Sequence, residues 1–148
     1  MKTALSRIKS ALQVGLPYIK ARDIYVTEDI RLIRAAGGYP AIGIKDGPVG
    51  YLIDPGDQDE VTMEVTAAAY VQLLKPEAGI MGEEATGAKG VLDVAEDIIA
   101  TLRNNDLDGW VVSALPGSRG ASELLTDGQL VITMVPVVMR YTRYDTLQ

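Results

Sequence analysis

From Gly128 to Tyr144 the chain is rich in β-branched and aromatic residues and carries no helical stripe, which predicts one long strand. At a rise of about 3.3 Å per residue it would extend for about 50 Å, several times a typical strand. One alternating set is Val131, Thr133, Val135, Val137, Met139 and Tyr141; the other is Leu130, Ile132, Met134, Pro136, Val138 and Arg140. Neither set is polar before Arg140, so both faces require cover. A chain of 148 residues is short of material for two covering layers, which points to a partner subunit. The expected division places Leu130 to Val135 in the chain's own sheet and the part from Pro136 onward against a neighbour. Pro136 lacks an N–H, so a bend or bulge is expected there.

The other elements follow from periodicity. Leu5, Ile8 and Leu12 recur at helical spacing from Thr3 onward, and Gly15 and Pro17 end that helix. Ile24 to Val26 and Ile30 to Ile33 read as short strands, Gly37-Gly38 as a turn, and Tyr39 to Lys45 as a strand broken by Asp46-Gly47-Pro48. Val49 to Ile53 is expected to pair back across that break. Asp54 to Glu60 reads as an acidic loop tip. Val61 to Leu74 alternates as a second long strand, Lys75 to Gly79 stops it, and a glycine-rich passage runs to Gly90. Val91, Leu92, Ala95, Ile98, Ile99 and Leu102 mark a second helix, and Leu107 to Val112 reads as a turn into a short strand. Leu115 to Gly120 reads as a loop, and Asp127-Gly128 turns into the terminal strand. No repeat or linker divides the order. The expected fold is a single α+β domain over residues 1–148, a mostly antiparallel sheet with two helices packed on one face in a two-layer sandwich.

Composition narrows the chemistry. With no cysteine and no histidine, thiolate chemistry, disulfides and the commonest general base near neutral pH are all excluded. A net charge of −6 argues against a nucleic-acid grip over the whole surface, although a local basic patch remains open. No apolar run reaches the roughly 18 residues of a membrane-spanning helix, and Met1 to Val14 is amphipathic instead of built like a signal peptide. A soluble protein, intracellular where it is made and contacting no membrane, is expected.

The candidate chemical motifs fail in detail. Gly82-Glu-Glu-Ala-Thr-Gly87-Ala-Lys89-Gly90 precedes a helix, as a phosphate-binding loop does, but Ala88 separates the glycine from Lys89 and Gly90 follows the lysine. The acidic turn lacks the calcium-loop spacing, with Val65 or Thr66 where a glutamate is needed. Pro116 to Gly120 could cradle an anion beside Arg119, but a hairpin loop exposing one arginine is the preferred reading. Glu96 and Asp97 diverge on their helix, and Ser113, Ser118 and Ser122 have no histidine to activate them. The expectation is therefore a protein that is not an enzyme and that uses no cofactor and no metal.

The whole order is an N-terminal amphipathic helix, a block of strands, the helix Val91 to Leu102, the turn Leu107-Asp108-Gly109-Trp110 and a terminal strand ending Met139-Arg140-Tyr141-Thr142-Arg143-Tyr144. In this it resembles the tail terminator, or tail completion, proteins of tailed bacteriophages. The resemblance implies a virion protein of the neck, assembled in the host cytoplasm as a homo-oligomer, a hexameric ring. Such a ring caps the tail tube, ends its polymerisation and presents the head-joining surface. It implies contacts with the tail tube protein and with a head-completion or connector protein, and DNA passing through the lumen without being gripped. Val137, Met139, Tyr141 and Tyr144 would then form a subunit or tube contact. Asp54, Asp57, Asp59 and Glu60, with Ser118 and Arg119, are candidate exposed contact loops. Two other readings stand beside this one: another head-to-tail connector or adaptor, and a small-molecule or phosphate-binding domain using the Gly82 to Gly90 loop. An accessory subunit of a cellular complex is a further possibility.

Overall fold

The structure, a computed structural model, describes residues 1–35, 38–53 and 58–146. Strands β1 (Ile24–Val26), β2 (Ala41–Leu52), β3 (Gln58–Gln72), β4 (Ser113–Arg119), β5 (Glu123–Asp127) and β6 (Leu130–Thr146) form one mixed sheet. Its order is β1-β2-β3-β6-β4, and β5 also pairs with β6. Only the β1–β2 pairing is parallel. Helices α1 (Lys2–Gly15) and α3 (Val91–Leu102) lie together on one face, and a short helix α2 (Pro76–Met81) follows β3. The fold is α+β, with the two long helices on one side of the sheet.

The long terminal strand is real, and it is the centre of the sheet. On one side β6 pairs with the whole of β3, from Gln58 opposite Thr146 to Gln72 opposite Ile132. On the other side it meets β5 along Leu130 to Met134 and β4 along Val137 to Thr142. The two faces of the strand have different cover. Val135, Val137, Met139 and Tyr141 join Val61, Met63, Val65, Ala67, Ala69 and Val71 of β3 beneath Ala4, Ile8 and Leu12 of α1 and Val91, Val94, Ala95, Ile98 and Leu102 of α3. On the opposite face, Ile132 and Met134 join Ala41, Ala68 and Tyr70 under Tyr25, Ile30, Ile33, Ala35 and Tyr39. The segment after β1 thus serves as the second cover.

This corrects the expected division of the strand. Val137, Met139 and Tyr141 are 0%, 1% and 0% exposed within a single chain, so they offer nothing to a neighbour. The two helices already cover them, and of the four residues singled out only Tyr144 keeps an open surface. The register between β3 and β6 also runs without a shift past Pro136, which sits opposite Ala68. The Pro136 carbonyl accepts from the Gly120 amide at 2.9 Å. A strand residue points its N–H and C=O to the same edge, so the missing N–H faces the junction between β5 and β4. No ladder bond to β3 is lost. Gly120 is needed at that junction, because a Cβ there would stand 2.8 Å from the Pro136 ring.

Three local expectations also change. Val49 to Leu52 do not fold back on Ala41 to Lys45; β2 continues straight through, and Gly47-Pro48 form a bulge between Asp46 and Val49. A Cβ on Gly47 would lie 2.6 Å from the Glu64 carbonyl oxygen, so only glycine allows the bulge to close on β3. Pro116 to Arg119 belong to strand β4, again with a bulge at Gly117, and are not a loop. Ile30 to Ile33 form a turn instead of a strand. The turn expected at Gly37-Gly38 lies partly outside the described residues.

The Tyr141 hydroxyl is buried without a hydrogen-bond partner among the described residues, and burial alone pushes its ionisation above the ordinary tyrosine range. Unfolding titrations in urea test both side chains of this core. Met139→Ala should cost about 2–5 kcal/mol, as expected of a filled interior site. Tyr141→Phe should leave stability unchanged or raise it by up to about 1 kcal/mol, since no bond is lost with the hydroxyl.

Candidate functional site

A run of uncovered apolar residues lies at one end of the sheet. Beyond the bulge in β2, Tyr51, Leu52 and Ile53 are 67%, 67% and 66% exposed. Single exposed apolar side chains are ordinary, whereas three in succession leave apolar surface on both faces of the strand end. The register adds a fourth exposed residue. Leu52 pairs with Glu60, and Glu60 pairs with Tyr144, so the three side chains stand in a row across one face. Tyr144 is 48% exposed. On the helix-side face the corresponding row is Tyr51, Val61 and Arg143. There the Arg143 guanidinium lies 4.2 Å from the centre of the Trp110 ring and pairs with Asp145 at 2.7 Å. In that row Arg143 is tied down and Tyr51 stays exposed; in the other row Leu52 and Tyr144 are both exposed.

Asp59 and Glu60 are the first part of β3 and not a loop, because the ladder to β6 reaches back to Gln58. Asp54 and Asp57 lie outside the described residues. Asp59 stands opposite Asp145, and its Oδ1 is buried without a partner among the described residues. Ser118 and Arg119 are exposed at the end of β4, some distance along the sheet from the Tyr51 end, opposite Val138 and Val137. Tyr51, Leu52 and Ile53 went unrecognised as a surface. Their apolar run beside a turn has the same pattern as a paired interior strand, and only the length of the hairpin relative to the helices separates the two cases.

The two longer edge strands are poor templates for strand addition. Among the described residues, β2 is free on its outer side after Ile44, and this stretch carries the Gly47-Pro48 bulge. On the opposite edge, β4 carries Pro116 and the Gly117 bulge. Proline and bulges interrupt the row of N–H and C=O groups that a second strand would need. Side chains, not backbone ladders, are therefore the means of association that β2 and β4 leave.

The Gly82 to Gly90 loop is closed on itself. Asp93 accepts from the Gly90 amide at 2.9 Å, placing a carboxylate at the start of α3 where an anion would otherwise sit. Lys89 is turned away, bound to Asp97 at 2.7 Å, with its ammonium 4.8 Å from the centre of the Tyr18 ring. Tyr18 donates to the same Asp97 oxygen at 2.7 Å. A phosphate would have to displace Asp93 and draw Lys89 out of this cluster. The shallow cavity beside the loop is lined by Glu83 and Glu84 as well as Lys89. No group of three or more carboxylates suited to a metal ion occurs among the described residues, and no helix there is long and apolar enough to cross a membrane.

Compared with known proteins, the chain matches no family model and no curated protein.

The Lys89–Asp97–Tyr18 cluster ties the loop to the two long helices, and it titrates. Burial works to raise the Asp97 carboxyl, but hydrogen bonds from Lys89 and Tyr18 outweigh it and hold the group below the ordinary range. Its stabilisation is therefore present above the unfolded carboxylate pKa of about 3.9 and is lost as pH falls through the lower folded value. Asp97→Asn should cost less than about 1 kcal/mol at pH 7, as suits a partly exposed pair. Chemical denaturation of both proteins at pH 7 and pH 3 should show that difference shrinking at the acid end.

Proposed function

We propose that the protein is a structural subunit of a bacteriophage neck, a tail terminator that caps the tail tube as a homo-oligomeric ring, stops its growth and presents the head-joining surface. The observation that carries this reading is the end of the long hairpin, where Tyr51, Leu52, Ile53 and Tyr144 stay open to solvent beyond the part of the sheet that α1 and α3 cover. A chain that can bury Val137, Met139 and Tyr141 but leaves these four exposed has surface to spare for a protein partner. The order of helices and long strands agrees with the resemblance to tail terminators. The interruptions in β2 and β4 favour side-chain contacts over open-ended addition at those strands.

The reading accommodates the charge. An acidic ring wall repels phosphate and lets DNA pass without holding it. Hexameric stoichiometry, the tail tube protein and a head-completion or connector protein as partners, and location in the virion all follow from the resemblance and belong to the same proposal.

Electron microscopy of the purified protein, alone and with assembling tail tubes, tests it. Closed rings are expected in solution, and tubes polymerised with the protein should stop at a ring-capped end. Single globules at all concentrations, together with tubes of unchanged length, contradict it.

A further inference from the structure

We propose that the contact between copies is made by the Leu52–Glu60–Tyr144 end of one protomer's hairpin resting on a basic stripe of the next protomer's α1 and the turn before β1. The inference rests on the homo-oligomeric reading above and identifies which surfaces meet. It begins with an uneven distribution of charge. Residues 1–45 hold 8 of the 14 lysines and arginines but only 3 of the 20 acidic residues. An acidic protein thus carries one basic region, and its own remainder is the complement.

Half of the cations elsewhere have an ion pair: Lys89, Arg140 and Arg143 pair with Asp97, Glu64 and Asp145. Within the basic region Arg31, Arg34 and Lys45 likewise pair with Glu123, Glu28 and Asp46. Lys2, Lys9, Lys20 and Arg22 have no ion pair among the described residues. They are also neighbours. Lys2 and Lys9 are two helical turns apart and share a face with Gln13. The Gln13 side chain donates to the Ala21 carbonyl at 3.0 Å, which brings Lys20 and Arg22 to the end of the same stripe. This face of α1 is not the one turned to α3, which carries Arg7, Ala11 and Gly15 alongside Thr101 and Asn105. The stripe therefore looks outward along the β1 flank, where Val26 adds 45% exposed apolar surface.

The hairpin end has the matching character. Glu60 stands without an ion pair among the described residues, between the exposed Leu52 and Tyr144. A carboxylate framed by apolar groups suits lysine and arginine, whose stems cover apolar surface while their heads meet the charge. The two surfaces are different, so the contact is heterologous, and heterologous contacts close into rings when the rotation permits.

Charge reversal with rescue tests this on the full chain by sedimentation. Lys9→Glu/Lys20→Glu/Arg22→Glu should weaken self-association about 100-fold, and so should Leu52→Lys/Glu60→Lys, since like charges facing each other are strongly unfavourable. Combining both sets in one chain should restore assembly. Should either reversed protein fail to fold, mixing Leu52→Cys with Ser6→Cys proteins and adding a short bis-maleimide probes the contact in this cysteine-free chain. A mixed cross-link is expected, and its absence from assembled protein overturns the proposal. An oligomeric wild type whose stripe-reversed variant assembles normally overturns this contact alone. A wild type that is monomeric at every concentration overturns the ring reading with it. A stripe variant that assembles normally but loses affinity for duplex DNA assigns the stripe to nucleic acid and likewise overturns the proposal.

Discussion

The pairing of β3 with β6 is the constraint on which everything else rests. It joins Gln58 to Thr146 at one end and Gln72 to Ile132 at the other without a shift of register. A one-residue slip would carry Val137, Met139 and Tyr141 from the helix side to the opposite face and bring Val138 and Arg140 inward. Register is held because the two faces are covered by different things. Under α1 and α3 the β3 residues are Val61, Met63, Val65, Ala67 and Ala69, whereas the other face presents Thr62, Glu64 and Thr66 before Ala68 and Tyr70.

That second face explains how a chain of this size closes a sheet with such long strands. The segment after β1 folds back over the β5 end and is pinned by tyrosines. The Tyr70 hydroxyl donates to the Ile30 carbonyl, Tyr25 stacks parallel to Tyr70 with ring centres 6.5 Å apart, and Tyr39 donates to Asp127 at 2.8 Å. Burial, reinforced by Tyr25, pushes the Tyr70 hydroxyl well above its ordinary ionisation range, so it remains a donor. Phenylalanine at these positions would fill space without fastening the segment. Toward the other end the same face carries Thr62, Glu64, Arg140 and Thr142 and needs no cover. From Ile132 to Tyr141 the apolar demand of the long strand is thus met within the chain, while Tyr144 stays exposed where the strand runs past the helices.

Much of this was legible from the residues. The period of 3.6 in Leu5, Ile8 and Leu12 and in Val91, Leu92, Ala95, Ile98, Ile99 and Leu102 identified both long helices, and alternation identified β3 and the extent of β6. Alternation could not say what covers each face. The apolar surplus after Pro136 looked like an interface because the cover comes from helices more than 30 residues away in sequence. Asp46-Gly47-Pro48 looked like a reversal because a turn and a two-residue bulge use the same residues; what distinguishes them is the approach of Gly47 to the Glu64 carbonyl across the sheet. The same misreading hid Tyr51 to Ile53, which were assigned a partner strand they do not have. The short β5 and α2 carry too few residues for a periodic signal.

The proposed contact therefore lies at the hairpin's end and not at the strand's middle. Amide hydrogen exchange, comparing dilute with assembled protein, reads it residue by residue. The account predicts that assembly adds protection at Tyr51 to Ile53, at Glu60 and along Lys2 to Gln13, while the amides of Val137, Met139 and Tyr141 are already slow in dilute protein and do not change. Protection gained along Val137 to Tyr141 on assembly, with the hairpin end unaffected, would contradict it.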